Sequence, residues 1–208
     1  MNKKTEIVCI LDRSGSMDEI INDAIGGFNS FIEEQRKIDG EASVTIVLFD
    51  HEYKLLKDNI NLKKIKPLTK DDWIPRGTTA LYDAIGKTII TVKERHKKMK
   101  KKDRPKVIVC IVTDGMENDS KEYNNNTIMN LINKQKEKKK WGFIYLAANQ
   151  DAFAVGNSLG IGKGSILTFV ADSNGVNNYS AAMTRSVAAY RQTNLKDIDI
   201  DKLISDKK

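Results

Sequence analysis

ILDRSGSM, residues 10 to 17, ends an apolar run abruptly in Asp12, Ser14 and Ser16, spaced two apart. The run begins at Ile7, and continuous apolar character without polar alternation reads as a strand buried on both faces. A loop leaving such a strand can turn one carboxylate and two hydroxyls toward a common point. Oxygen donors of this kind suit a hard cation such as Mg²⁺, which favours near-octahedral oxygen coordination and gives up its waters reluctantly.

Similar runs recur at Val44 to Phe49, Val107 to Val112, Phe143 to Ala147 and Ile166 to Val170. Between them lie helical patterns. Ile21, Ala24, Ile25, Phe28, Phe31 and Ile32 recur at three- and four-residue spacing, as do Leu81, Ala84, Ile85, Thr88, Ile89 and Val92. Ile128, Leu131 and Ile132 mark a weaker helix, Val176 to Tyr190 a final one, and residues 151–159 a short one. LFDHEYKLL, 48 to 56, reads as strand, tight polar turn and returning strand, an antiparallel hairpin at the sheet edge. Strands alternating with helices predict a doubly wound α/β fold: a mostly parallel central sheet, one antiparallel edge strand and helices on both faces. Ligands in such sheets bind beyond the carboxyl ends of the strands. Residues 1–193 are expected to form one domain, and 194–208 a polar tail with a short helical turn around Ile200, Leu203 and Ile204.

The 208 residues carry a formal charge of +7, placed unevenly. KERHKKMKKKDRPK, 93 to 106, holds nine Lys/Arg against Glu94 and Asp103 and accounts for +7; KQKEKKK, 134 to 140, adds +4, so the remainder sums to −4. Both clusters fall where a helix ends and a strand begins, the pole opposite the predicted metal edge. Cations there complement the helix dipole; contact of Lys97, Lys98, Lys100, Lys101 and Lys102 with a polyanion, nucleic acid or an acidic surface, is the alternative. No apolar stretch approaches the roughly 18 residues needed to span a membrane. The start, MNKKTEIVCILD, lacks the apolar region of a signal peptide. Cys9 and Cys110 sit in apolar runs without metal-ligand spacing and read as buried reduced thiols on strands that could be adjacent, so a cytoplasmic location is expected.

Two further polar clusters are predicted at the edge that carries Asp12. Arg76, Gly77, Thr78 and Thr79 open the helix beginning at Ala80, and Thr113, Asp114 and Gly115 close the strongest apolar run. DRSGS, GTTALYDAI and IVTDG, in this order, resemble the von Willebrand factor type A family with its metal-ion-dependent adhesion site, whose pattern is DxSxS, a Thr in a Gly-containing loop and a later strand-end Asp. The resemblance covers about the first 150 residues. It implies a metal site of Asp12, Ser14, Ser16, Thr79 and Asp114: Ser14 and Ser16 as direct ligands, Thr79 direct or through water, the two carboxylates holding coordinating waters. Thr79 is preferred to Thr78 because it stands immediately before ALYDAI, as in the family. The implied function is Mg²⁺- or Mn²⁺-dependent recognition of an Asp or Glu presented by a protein partner. Gly15 and Gly77 are expected to let the backbone approach the ion, and Gly115 to be left-handed. Asp50 and Asp83 are assigned surface or capping positions. FIYLAANQDAFAVGNSLGIG, 143 to 162, resembles the last part of a bacterial and phage group within the family, where Asn149, Gln150 and Asp151 form either a helix cap or a partner-binding rim.

Catalysis is not expected. Position 14 is Ser where a haloacid-dehalogenase-type hydrolase would need its second carboxylate, and no GxxxxGK[ST] or GxGxxG loop is present. The two histidines fall in the hairpin turn, His51, and in the lysine-rich helix end, His96. Neither is placed to serve the site as a base.

Overall fold

The computed structural model describes residues 4–148 and 151–193. The expected tail, 194–208, and the rim positions Asn149 and Gln150 lie outside the described residues. Six strands form one sheet: β1 (Thr5–Asp12), β2 (Ala42–Phe49), β3 (Tyr53–Asn61), β4 (Lys106–Thr113), β5 (Gly142–Ala147) and β6 (Ile166–Thr168). Their order is β3-β2-β1-β4-β5-β6, parallel throughout except for antiparallel β3 at one edge.

Alternate residues of the central strands feed two separate cores, which is why their sequences are apolar without interruption. Ile7, Cys9 and Leu11 of β1 join Ile108, Cys110 and Val112 of β4 under α1 (Ile21–Arg36) and α5 (Ser173–Gln192). Val8 and Ile10 join Val107, Val109 and Ile111 on the other face. There α2 (Leu81–Lys97), α3 (Asn125–Lys139) and α4 (Ala152–Ser158) cover the sheet. The third helix, weak in periodicity, is secured at its start by a capping box in which Asn124 and Thr127 exchange side-chain and backbone hydrogen bonds.

Two elements differ from expectation. Strand β3 runs on to Asn61, well past residue 56, because it is an edge strand whose outer face needs no apolar residue; a register irregularity and left-handed Asn59 (φ 51°) accompany it. Strand β6 stops at Thr168, and Val170 turns outward, 69% exposed, with its carbonyl accepting the Asp172 N–H at the approach to α5. Cys9 and Cys110 lie opposite each other on β1 and β4, both buried and reduced. Hydrogen bonding with Cys9, together with burial, pushes the Cys110 thiol well above its ordinary value. Among the described residues no helix is long and apolar enough to cross a membrane.

The chain leaves β1 toward β2 and leaves β4 toward β5, so the carboxyl ends of β1 and β4 flank the point where strand order reverses. The predicted metal residues gather at that point.

Candidate metal centre

Asp12 closes β1 and is fully buried. Its Oδ1 accepts the Ser14 N–H at 2.6 Å and its Oδ2 accepts the Thr113 hydroxyl, from the end of β4, at 2.5 Å. The Trp73 indole donates to the Asp12 carbonyl at 2.9 Å and so pins the strand end from the α1 face. Beyond it the chain turns through a short 3₁₀ segment, Gly15–Ile20, which folds Ser16 back beside Ser14 with their Oγ atoms 3.1 Å apart. Ser16 Oγ donates to Asp114 Oδ1 at 2.7 Å, joining this loop to the end of β4.

Thr79 arrives from a third segment. The loop before α2 is tied to the β1 loop by two backbone bonds, Arg76 N–H to the Arg13 carbonyl (2.8 Å) and Gly15 N–H to the Gly77 carbonyl (3.1 Å). Gly77 is left-handed (φ 66°) and lies under the His51 ring, so a side chain there would be both strained and in collision with it. Asn118 then clamps Thr79 from both sides: its Oδ1 accepts the Thr79 N–H at 2.9 Å and its own N–H donates to the Thr79 carbonyl at 3.0 Å. Thr79 is buried, whereas Thr78 is exposed and donates to Asp119 Oδ2 at 2.7 Å, away from the serines.

A β-carbon placed on Gly115 would lie 2.9 Å from Thr79 Oγ1 and 3.6 Å from the Oγ atoms of both Ser14 and Ser16. Three hydroxyl oxygens from two loops therefore face one small space beside Gly115, with Asp114 hydrogen-bonded to one of them. This cradle of neutral oxygens backed by carboxylates fits a divalent cation of the oxygen-loving type. Burial raises the Asp12 carboxyl to about 6 against the lowering pull of Thr113 and Ser14, with Asp114 adding to the rise. Burial likewise raises Asp114, partly opposed by the Ser16 hydrogen bond. Two carboxylates are thus gathered where, among the described residues, no Lys, Arg or His is paired with either.

Several expectations need correction. Gly115 is not among the left-handed glycines; it is small because any side chain would enter the cradle. Asp50 is not at the surface: it is fully buried, 3.0 Å from Arg13 Nε and 2.9 Å from Arg76 Nε, and its carbonyl holds the Ala80 N–H at the start of α2. Asp83 is also buried, and accepts the N–H groups of Lys121, Glu122 and Tyr123, so it staples the 115–123 loop and caps no helix of its own. Burial opposes those three bonds, which win and hold its carboxyl below the ordinary value. Sequence reasoning missed Asn118 and Trp73 as clamps of the site, and Glu117, which accepts the Tyr82, Asp119 and Ser120 N–H groups and so ties the 115–123 loop to the start of α2. The only sign of Asn118 was the polar density of MENDSKE after TDG, which reads equally well as a solvated loop.

Asp50, His51 and Glu52 bring three potential metal-binding atoms within 4.8 Å of one another beside the centre. Asp50 is taken by the two guanidiniums, and Glu52 is paired with Arg76, so this cluster is an ion-pair network already neutralised by the chain. Asp151 is exposed at the start of α4 and makes no side-chain cap bond there. Lys97, Lys98, Lys100, Lys101 and Lys102 are all exposed at the opposite pole, where β1 and β4 begin. His96 is buried there, its Nε2 2.8 Å from Glu6 Oε2.

A mostly parallel six-stranded sheet with one antiparallel edge and helices on both faces places the chain in the von Willebrand type A or Rossmann-like fold class. No family model matches the sequence, and no curated protein matches it. Solved structures do resemble it. The PilB minor pilin from Streptococcus sanguinis aligns with a TM-score of 0.66 and 12% identity over 94% of this chain and 63% of that one. Manganese-loaded TRAP protein from Plasmodium vivax aligns with a TM-score of 0.60 and 16% identity over 86% of this chain and 72% of that one. Proximal thread matrix protein 1 from the mussel byssus, with a zinc-occupied MIDAS motif, aligns with a TM-score of 0.62 and 11% identity over 88% and 46%. This chain thus spans about 63% of the pilin's length and less than half of the byssus protein's.

Proposed function

We propose that this protein is a metal-dependent protein-interaction module that binds Mg²⁺, or Mn²⁺, and recognises an Asp or Glu side chain of a partner protein. The observation that carries the reading is the convergence of Ser14, Ser16 and Thr79 hydroxyls beside Gly115, with Asp12 and Asp114 behind them. Ser14, Ser16 and Thr79 would hold the ion and the two carboxylates its waters. A bound divalent ion supplies an electrophilic position that a carboxylate can occupy. Because the three hydroxyls are neutral, they leave most of the cation's charge to attract that carboxylate. Ser14 N–H and Thr113 keep Asp12 pointed inward and leave the serine hydroxyls to face the cradle. Zinc and manganese in the matching structures support a divalent ion in this fold.

The same geometry favours adhesion over catalysis. Among the described residues, His96 sits on Glu6 at the far pole, and His51 Nδ1 faces Asp50 at 3.5 Å, with its ring over Gly77. The two reduced cysteines fit a cytoplasmic setting.

Thermal melting with MgCl₂ and with chelator tests the metal. A ligand at 100 times its Kd stabilises the native state by about 2.7 kcal/mol, and Ser14→Ala should remove the shift. Identical melting curves for the parent protein in 10 mM MgCl₂, 10 mM MnCl₂ and chelator would refute a metal-binding module. Capture of a partner that chelator elutes and Ser14→Ala abolishes would tie the metal to recognition.

A further inference from the structure

The two lysine-rich stretches, separated by residues 107–133 in sequence, meet in the fold. The first leads into β4 and the second into β5, and these strands are neighbours with Ile108 opposite Gly142. The Tyr190 hydroxyl lies 2.8 Å from the Val107 carbonyl and 3.0 Å from the Lys140 carbonyl and shares its one proton between them, so one oxygen spans both exits. His96, from the end of α2, meets Trp141, which follows the end of α3, edge to face at 6.0 Å. Above this joint Lys97, Lys98, Lys100, Lys101, Lys102, Lys134, Lys138, Lys139 and Lys140 are exposed.

The helix dipole accounts for only part of this charge, since its pull fades beyond the last turn. α2 ends at Lys97 and α3 at Lys139, so Lys98, Lys100, Lys101, Lys102 and Lys140 lie past the helices. Lys140 is left-handed (φ 57°), at a position where glycine is the relaxed choice. Lys106 Nζ donates to three carbonyls at the end of α5, Lys136 Nζ donates to the Gly160 carbonyl, and Lys97 is paired with Glu94.

We propose that this basic pole is a single docking surface for the phosphodiester backbone of duplex nucleic acid, independent of the metal centre and without sequence preference. The residues 93–106 and 134–140 carry +11 between them while the rest of the chain sums to −4, so the net positive charge is concentrated at this pole. A duplex offers about one negative charge per 1.7 Å, the densest match for so many point charges. Lysine lacks the planar fork that reads base edges, and neither stretch exposes a large apolar side chain to stack on bases or to enter a bilayer.

Fluorescence anisotropy with a labelled mixed-sequence 30-base-pair DNA, titrated in chelator from 50 to 200 mM KCl, tests the surface. Six phosphate contacts would give a log–log salt slope of about −5.4, a loss on the order of a thousandfold over that range. Lys98→Gln/Lys100→Gln/Lys101→Gln and Lys138→Gln/Lys139→Gln/Lys140→Gln should each flatten the slope by about 2.7, whereas Ser14→Ala should leave it unchanged. The proposal is overturned by an absence of binding at 50 mM KCl, by variants that bind like the parent, or by an effect confined to one stretch. Binding to phosphatidylserine vesicles in preference to the duplex would overturn it equally.

Discussion

Strand β1 carries a fully buried carboxylate near each end, and the two are treated in opposite ways. Glu6, near the start, accepts from Thr45 Oγ1 at 2.9 Å and is paired with Arg95 and with His96. Burial alone would raise it, but the His96 hydrogen bond and the Arg95 charge outweigh burial and hold it below the ordinary value. Asp12, six residues on, is met only by a backbone N–H and hydroxyls, and burial pushes it up to about 6. Both carboxylates are hydrogen-bonded; only one has a counter-charge made of protein. The end lacking it is the end where the Ser14, Ser16 and Thr79 hydroxyls converge, which is the asymmetry that the proposed metal would complete.

The sharpest break in this comparison is Glu6→Ala, which strands buried His96, leaves Arg95 only its ion pair with exposed Asp58, and should cost about 3 kcal/mol in urea denaturation. The pH dependence has a defined sign. A lowered folded-state pKa means that Glu6 contributes stability above its unfolded value near 4.5, and that this contribution is lost as pH falls through the folded value. Acid unfolding below about pH 4.5 should therefore be less steep in Glu6→Gln than in the parent; an unchanged slope would show that Glu6 is not the acid-sensitive clasp.

At the other end, Gly115→Ala places a methyl group in the cradle, 2.9 Å from Thr79 Oγ1. Magnesium affinity should fall by about tenfold or more, the scale on which altered surroundings of a bound metal act. Melting in chelator should hardly change, and equal magnesium shifts in parent and variant would place the ion elsewhere. Smallest is Asp12→Asn, which removes an unpaired buried charge while keeping an oxygen for the Ser14 N–H. The metal-free variant should be more stable than the parent by about 1 kcal/mol at pH 7.5 and blind to magnesium. A destabilised variant in chelator would mean that the charge is already balanced within the chain.

The alternation of strands and helices, and the polar positions that the fold gathers at one sheet edge, were readable because both rest on short-range signals: unbroken apolar runs, and small polar residues at their ends. What the sequence hid was long-range. Arg13 and Asp50 look like solvated loop charges, and nothing local says that they are buried against each other. β3 was cut short because its outward residues need no apolar character, and Asn118 was invisible because a clamp on Thr79 has no periodicity to betray it. Gly115 was correctly singled out for the wrong reason; φ cannot be read from a TDG triplet, and neither can the space that a β-carbon would fill.

The register of β1 and β4 bears on how the centre can adjust. The two strands pair without a bulge from Thr5↔Lys106 to Leu11↔Val112, so the separation of Asp12 from the residues closing β4 is fixed by the sheet itself. Changing it would mean sliding one core strand along another, with the loss of every pairing between. Thr79 is anchored differently, by loop backbone bonds and the single Asn118 clamp. The site thus has one jaw set by strand register and one set by loop contacts, and if it binds a metal as proposed, the Thr79 arm is the one that can adjust without breaking the sheet.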